Sequence, residues 1–256
     1  MTVARAVLDE PLLLTAAERL ARAHHAQYDP SHDFYHVERV RRLALSIARS
    51  LPEPVDSLVV ELAALFHDLL DAKYLPKDAP VPTAHEHLAG FWAENGAGLS
   101  EERRRLVERI IENVSHSKEV RRIKEGRQTE WHETCRELHC VQDADRLDAI
   151  GAIGALPSPP APLFHKLTIL DSPGIMRCSA YSALVSRPLY IPPSSSSASA
   201  EDPSTCALAH FDDKLLLLHE RMRTEKGREM ARRRTEVLRG FKEEVEREWR
   251  EAVGEE

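Results

Sequence analysis

What this chain lacks narrows its class before any motif is read. Alternating apolar and polar stretches of the kind that make strands are nearly absent, and helical periodicity dominates instead. No run approaches the roughly 18 apolar residues of a membrane span, so no membrane partner is expected. Cysteine is scarce: Cys135, Cys140, Cys178 and Cys206 stand in no CxxC spacing. That argues against a zinc knuckle and suits free thiols in a reducing cytosolic or nuclear compartment, with the cytoplasm the expected location. The opening residues MTVARAVLDEPLLL have no long apolar core and carry Asp9 and Glu10 early, so no secretory leader is expected. Positive charge is in deficit: Lys and Arg number 35 against 42 Asp and Glu, a net charge of −7. An electrostatic footprint for nucleic acid is therefore not expected. There is no internal repeat.

What is present is an ordinary soluble composition of 256 residues, 42% hydrophobic and 30% charged, enough to bury a sizeable core. The periodicity predicts helices over Thr15 to Gln27, Ser31 to Ser50, Val55 to Lys73, His85 to Glu94, Ser100 to Val114 and Glu133 to Ile150, and two more between Ala207 and Glu251. The third is apolar on most sides and should be central. Ser100 is the expected N-cap of the fifth, with Glu101 and Glu102 in its first turn. Two segments break the pattern. The stretch from Ala155 to Gly174 holds five of the 16 prolines and cannot be one helix. The stretch from Ile191 to Ser204 is rich in Ser and Pro and reads as a mobile loop.

The chemistry-bearing residues begin with His67 and Asp68 in LAALFHDLLDAK. A buried carboxylate is costly unless paired or metal-bound. Adjacent helical side chains point about 100° apart, so both could reach an ion lying between them. The dipeptide alone is equally compatible with a solvated face or a His–Asp hydrogen bond. His36 in SHDFYHVERV shares a face with Val40, Leu43 and Ile47, where a lone histidine is unusual. Asp145 in CVQDADRLDAIGAIG follows Leu138 and Val141 by seven and four residues, so it is expected to point inward. Asp71 lies one helical turn beyond the His67–Asp68 pair. Two imidazoles and three carboxylates suit a divalent ion such as Mn, Fe, Co, Ni, Zn or Mg, and the lack of a thiolate set argues against a structural zinc site.

His36, the His67–Asp68 pair and Asp145 in ADRLD resemble the H…HD…D signature of the HD-domain phosphohydrolases. The strings SHDFYHVERV, HDLLDAK, ENVSHS, VQDADRLDAIGAIG, RPLY and HFDDKLLLLHERMRTEKGREMARRR, taken in order, look like the subgroup of small stand-alone bacterial and fungal HD proteins. Some bacterial members of it are nucleoside triphosphate pyrophosphohydrolases. The resemblance runs from about Arg22 to Trp249 and is interrupted at 155–174. It implies an all-α, HD-domain helical bundle around a central metal site. The whole chain, 1–256, is expected to form one such domain, with its core at about 22–150 and 175–250.

The resemblance also implies roles. His36, His67, Asp68 and Asp145 match the metal ligands, and Asp71 the acidic residue near the attacking water. Lys73 suits a phosphate oxygen, and His116 in SHS suits phosphate, a second ion or a helix-terminal hydrogen bond. Arg187 and Lys214 are candidates for binding substrate phosphate. Arg39 and Arg146 suit ion pairs that hold acidic residues in place. Asp143 is expected on a solvated face, about 200° round a helix from Asp145, and Asp148 behind the ligands. His24, His25, His85 and His87 are expected at the surface. The basic run from Arg228 to Arg239, interleaved with Glu229 and Glu236, reads as a solvated face.

The implied partner is a small phosphate-containing substrate. The reaction implied is cleavage of a nucleoside triphosphate to monophosphate and pyrophosphate, with 5′-nucleotidase or phosphodiesterase activity as the alternative. A non-catalytic nucleotide-binding module would have no need of Asp71. Joined directly, the flanks of 155–174 give AIGAIGIMRCSAYS, which continues the helical pattern, so the segment reads as an in-frame insertion with helix resuming at Ile175.

Overall fold

A computed structural model of the chain describes residues 7–26, 33–70, 82–155, 157–158, 177–178, 190, 206 and 208–254. The described elements are helices, apart from one two-residue ladder. They gather into two compact units: the second takes in Asp33 and the described residues from 145 onward, and the first the other described residues up to 144. The boundary falls inside a single uninterrupted helix, α8 (Arg136–Asp148).

The first unit opens with α1 (Glu10–His25), which begins earlier than the periodicity suggests because Asp9 accepts a hydrogen bond from the Leu12 backbone N–H and a proline sits in the first turn. Helix α2 (Phe34–Ala48) buries Val37, Val40, Ala44 and Ile47. Helix α3 (Ser57–Phe66), capped by Asp56, is buried on nearly every side and packs on α1, α2 and α5 (Glu101–Asn113). Arg41 of α2 donates to Glu61 of α3 and Glu18 of α1, pinning the three together. Between α3 and α5 stands α4 (Ala84–Asn95), which begins with a full capping box at Thr83 and Glu86. Ser100 caps α5 as expected.

Two of the expected helices need correction. The third ends at Phe66, and His67 to Leu70 form tight turns. The sixth, expected over Glu133 to Ile150, is the end of α7 (Glu130–Thr134) and then α8, separated by extended backbone at Cys135, and α6 (His116–Lys124) before them was not expected.

In the second unit, α9 (Ala152–Ala155) follows Gly151, whose φ of 87° a side-chain-bearing residue rarely adopts. A Cβ there would also meet the Arg234 side chain at 3.1 Å. Pro157–Ser158 then pairs antiparallel with Arg177–Cys178. Helix therefore does not resume directly after Gly174: the strand of the ladder occupies Arg177 and Cys178, and most of the expected insertion lies outside the described residues, as does the 191–204 loop. Helix α10 (Ala209–Asp213) leads into a 3₁₀ segment (Leu215–Arg221) that buries Leu215 and Leu218, the i,i+3 spacing of that helix type. Helix α11 (Glu225–Val253), capped by Thr224, closes the unit.

Candidate metal centre

The His67–Asp68 pair sits where α3 stops. His67 is the C-cap residue, still in right-handed helical conformation (φ −58°, ψ −32°). Its Nδ1–H donates to the Ala64 carbonyl at 2.8 Å. That bond fixes the tautomer and leaves the Nε2 lone pair facing His36, whose Nε2 lies 3.1 Å away. Histidines that hold metals commonly anchor their other ring nitrogen on a carbonyl in this way. His36 reaches the same point from the first turn of α2, and both imidazoles are buried.

Asp68 follows in the turn. Its Oδ2 lies 3.4 Å from His36 Nε2 and 3.3 Å from His67 Nε2. The atom is buried and makes no hydrogen bond. Burial would push this carboxyl up, but the two imidazoles beside it, when protonated, outweigh that and hold it well below the usual carboxylate range. Metal ligation needs both imidazoles neutral, and a divalent ion would then supply the positive charge beside Asp68 in their place.

Asp145, on α8 one residue beyond Ala144, completes the cluster. One donor atom each from His36, His67 and Asp145 lie within 4.8 Å of one another. Donors on opposite sides of an ion at about 2.0–2.2 Å stand up to about 4.4 Å apart, so the set is on the scale of one ion's ligands. The donor set of imidazole and carboxylate fits a divalent cation of the first transition row or Mg.

Other expected residues fare differently. Asp71, Lys73 and Arg187 lie outside the described residues. His116 is the first residue of α6 and half-buried. Lys214 lies one residue past the end of α10, so it does not share a helix face with His210. Arg39 is half-buried, while Arg146 is buried and donates to the Arg221 carbonyl.

Two surface expectations are overturned. Asp143 is fully buried because α8 is enclosed on most sides, with Leu138, Val141, Ala144, Leu147 and Asp148 also buried. His25 is buried because it continues the every-fourth-residue stripe Leu13, Ala17, Ala21 along α1; that stripe was the signal available in the sequence. His85 is exposed as expected and faces Glu108, which also accepts from the Trp92 indole at 2.8 Å. His24 lies with its ring centroid 6.3 Å from that of His87. Burial, and then His87, lower its pKa, and the Asp68 charge opposes them. This imidazole neighbour of the His67–Asp68 turn was not foreseen.

Among the described residues, no helix is long and apolar enough to cross a membrane. The HD domain profile matches residues 33–150, the span that carries all four residues of the cluster. Bacillus subtilis YpgQ is 32% identical over 219 residues, 85% of this chain and 84% of YpgQ. The chain belongs to the HD-domain family. Among solved structures, that of YpgQ in complex with ADP aligns with a TM-score of 0.60 at 27% identity, covering 93% of this chain and 96% of that one. Lin1889 from Listeria innocua aligns at 0.60 and 26%, covering 95% and 98%. An HD-superfamily hydrolase from Bacillus thuringiensis aligns at 0.62 and 25%, covering 94% and 98%.

Proposed function

We propose that the chain is a metal-dependent phosphohydrolase acting on nucleotides, cleaving a nucleoside triphosphate to monophosphate and pyrophosphate, and that 1–256 works as one HD domain. The observation that carries this reading is the tautomer lock at His67: an Nε2 lone pair aimed at His36 and at the unsatisfied, ionised Asp68, with Asp145 closing the set. A divalent ion held there supplies Lewis acidity and lowers the pKa of a bound water. The protein's own groups do the rest. Asp71 orients and deprotonates the attacking water. Lys73 and His116, with Arg187 and Lys214, stabilise charge developing on the phosphate. A nucleotide substrate is supported by the relative YpgQ, whose crystal structure holds ADP.

The test is a nucleotide screen with Mn, Co, Ni and Mg, resolving orthophosphate from pyrophosphate. Pyrophosphate release that depends on metal is the expected result. Orthophosphate from monophosphates would move the assignment to a 5′-nucleotidase, and nucleotide binding without turnover would overturn the enzymatic reading.

A further inference from the structure

Gln142 stands on α8 one turn before Asp145, with only 1% of its surface exposed. Its Nε2 donates to the backbone carbonyl of Asn113 at 3.1 Å. Asn113 ends α5 and is itself held from several sides. Its Oδ1 accepts from Arg122 Nη1 at 2.9 Å and His132 Nε2 at 3.1 Å, and its Nδ2 donates to the Arg109 carbonyl at 2.8 Å. His132 Nδ1 accepts from the Thr129 N–H at 3.2 Å and faces the Thr129 hydroxyl at 2.8 Å. The proton of this imidazole therefore resides on Nε2, facing Asn113. Residues of α5, α6, α7 and α8 meet at one asparagine.

Two features set Gln142 apart from a packing residue. Its Oε1 is buried and has no donor among the described residues. A buried acceptor without a partner costs about 1–3 kcal/mol, which offsets what the bond from Nε2 to the Asn113 carbonyl contributes to stability. Its one bond is also placed where it matters for the metal cluster. Helix α3, whose C-cap is His67, packs along α5. Gln142 fastens α8 to the end of that same α5, so the donors on α3 and on α8 are both referred to one helix.

We propose that Gln142 is a positioning residue for the metal site, its amide holding α8 in register with α5 so that Asp145 meets His36 and His67. The inference rests on the metal reading above and deepens it. The experiment titrates metal-free protein with Mn²⁺ by calorimetry, recording circular dichroism and melting temperature alongside. Gln142→Met keeps length and burial without a donor. It loses the unpartnered Oε1 together with the bond to the Asn113 carbonyl, so it is expected to fold with a Tm near that of wild type, yet to bind Mn²⁺ about 10–100-fold more weakly, on the scale of changes made outside the ligands themselves. Gln142→Glu sets a carboxylate against the Asn113 carbonyl. Its deficit relative to wild type should narrow as pH falls and the carboxyl regains a proton to donate, a pattern that a general loss of packing would not give. Wild-type Mn²⁺ affinity in Gln142→Met overturns the positioning role. If that variant does not fold, Gln142→Glu decides alone: a pH-independent affinity ratio to wild type overturns it. A wild-type protein that binds no Mn²⁺ overturns the metal reading itself, a separate outcome.

Discussion

At the level of single residues, the anchored Nδ1–H of His67 and the ionised Asp68 divide binding from chemistry. Asp68→Ala removes the carboxylate beside both imidazoles and should lose metal and turnover together. Asp71→Asn should keep the metal and lose most turnover, because a general base contributes roughly 10²–10⁴-fold; metal content and rate measured on both variants check this, and equal metal loss would contradict the role given to Asp71. His132 gives a pH prediction. Burial, then Arg122 and Arg109, lower its pKa, so the native state takes up this proton less readily than the unfolded chain does. Its contribution to stability is present above the unfolded value of about 6.5 and is lost as pH falls through the lowered native value. His132→Gln should melt lower at pH 8 and show a smaller further loss between pH 7 and 5.5 than wild type; equal acid sensitivity in calorimetry would contradict it. Much of the metal cluster was legible in the sequence, because a histidine or carboxylate on an otherwise apolar face is costly and stands out. The Gln142–Asn113 bond was not, since it joins residues 29 apart through a backbone carbonyl, and no side-chain pattern announces that.

Among the elements, α3 carries the core and ends where the site begins. Leu62 is fully buried there, and Leu62→Ala should cost about 2–5 kcal/mol. Leu12 on α1 is 64% exposed, and Leu12→Ala should change stability by less than about 0.5 kcal/mol. Denaturant titration of the two variants checks the contrast, and similar losses would mean that the burial pattern is wrong. Helix identity was readable where one face is apolar or a cap is explicit, as at Ser100 and α5. It missed the short α6 and failed at breaks without glycine or proline. The extended residue Cys135 between α7 and α8 is one such break. Another is the end of α3, where apolar Leu69 and Leu70 continue the helical pattern in residues that form turns. The thiols of α8 and its approach are also set by enclosure: burial raises Cys135 to about 11 and Cys140 to about 12. Both should resist alkylation at pH 8 until the protein is unfolded.

For the whole molecule, the ladder of Pro157–Ser158 with Arg177–Cys178 brings the two flanks of the proline-rich stretch side by side. A two-residue Asn-Gly turn can bridge such a pair. Replacing 159–176 with Asn-Gly should leave a soluble protein with unchanged metal affinity, and insoluble or unfolded product would show that the stretch belongs to the core. The sequence separated this segment by composition but placed its end too early, because a two-residue pairing has no periodicity to detect. The functional expectations depend on one claim, that His36, His67, Asp68 and Asp145 together hold a divalent ion. The most direct measurement is the metal content of purified wild type, His67→Ala and Asp145→Ala by elemental mass spectrometry after equilibration with Mn²⁺, with folding checked by circular dichroism. The account predicts stoichiometric metal in wild type and loss of it in both folded variants. Metal retained in either variant at the wild-type level would contradict it.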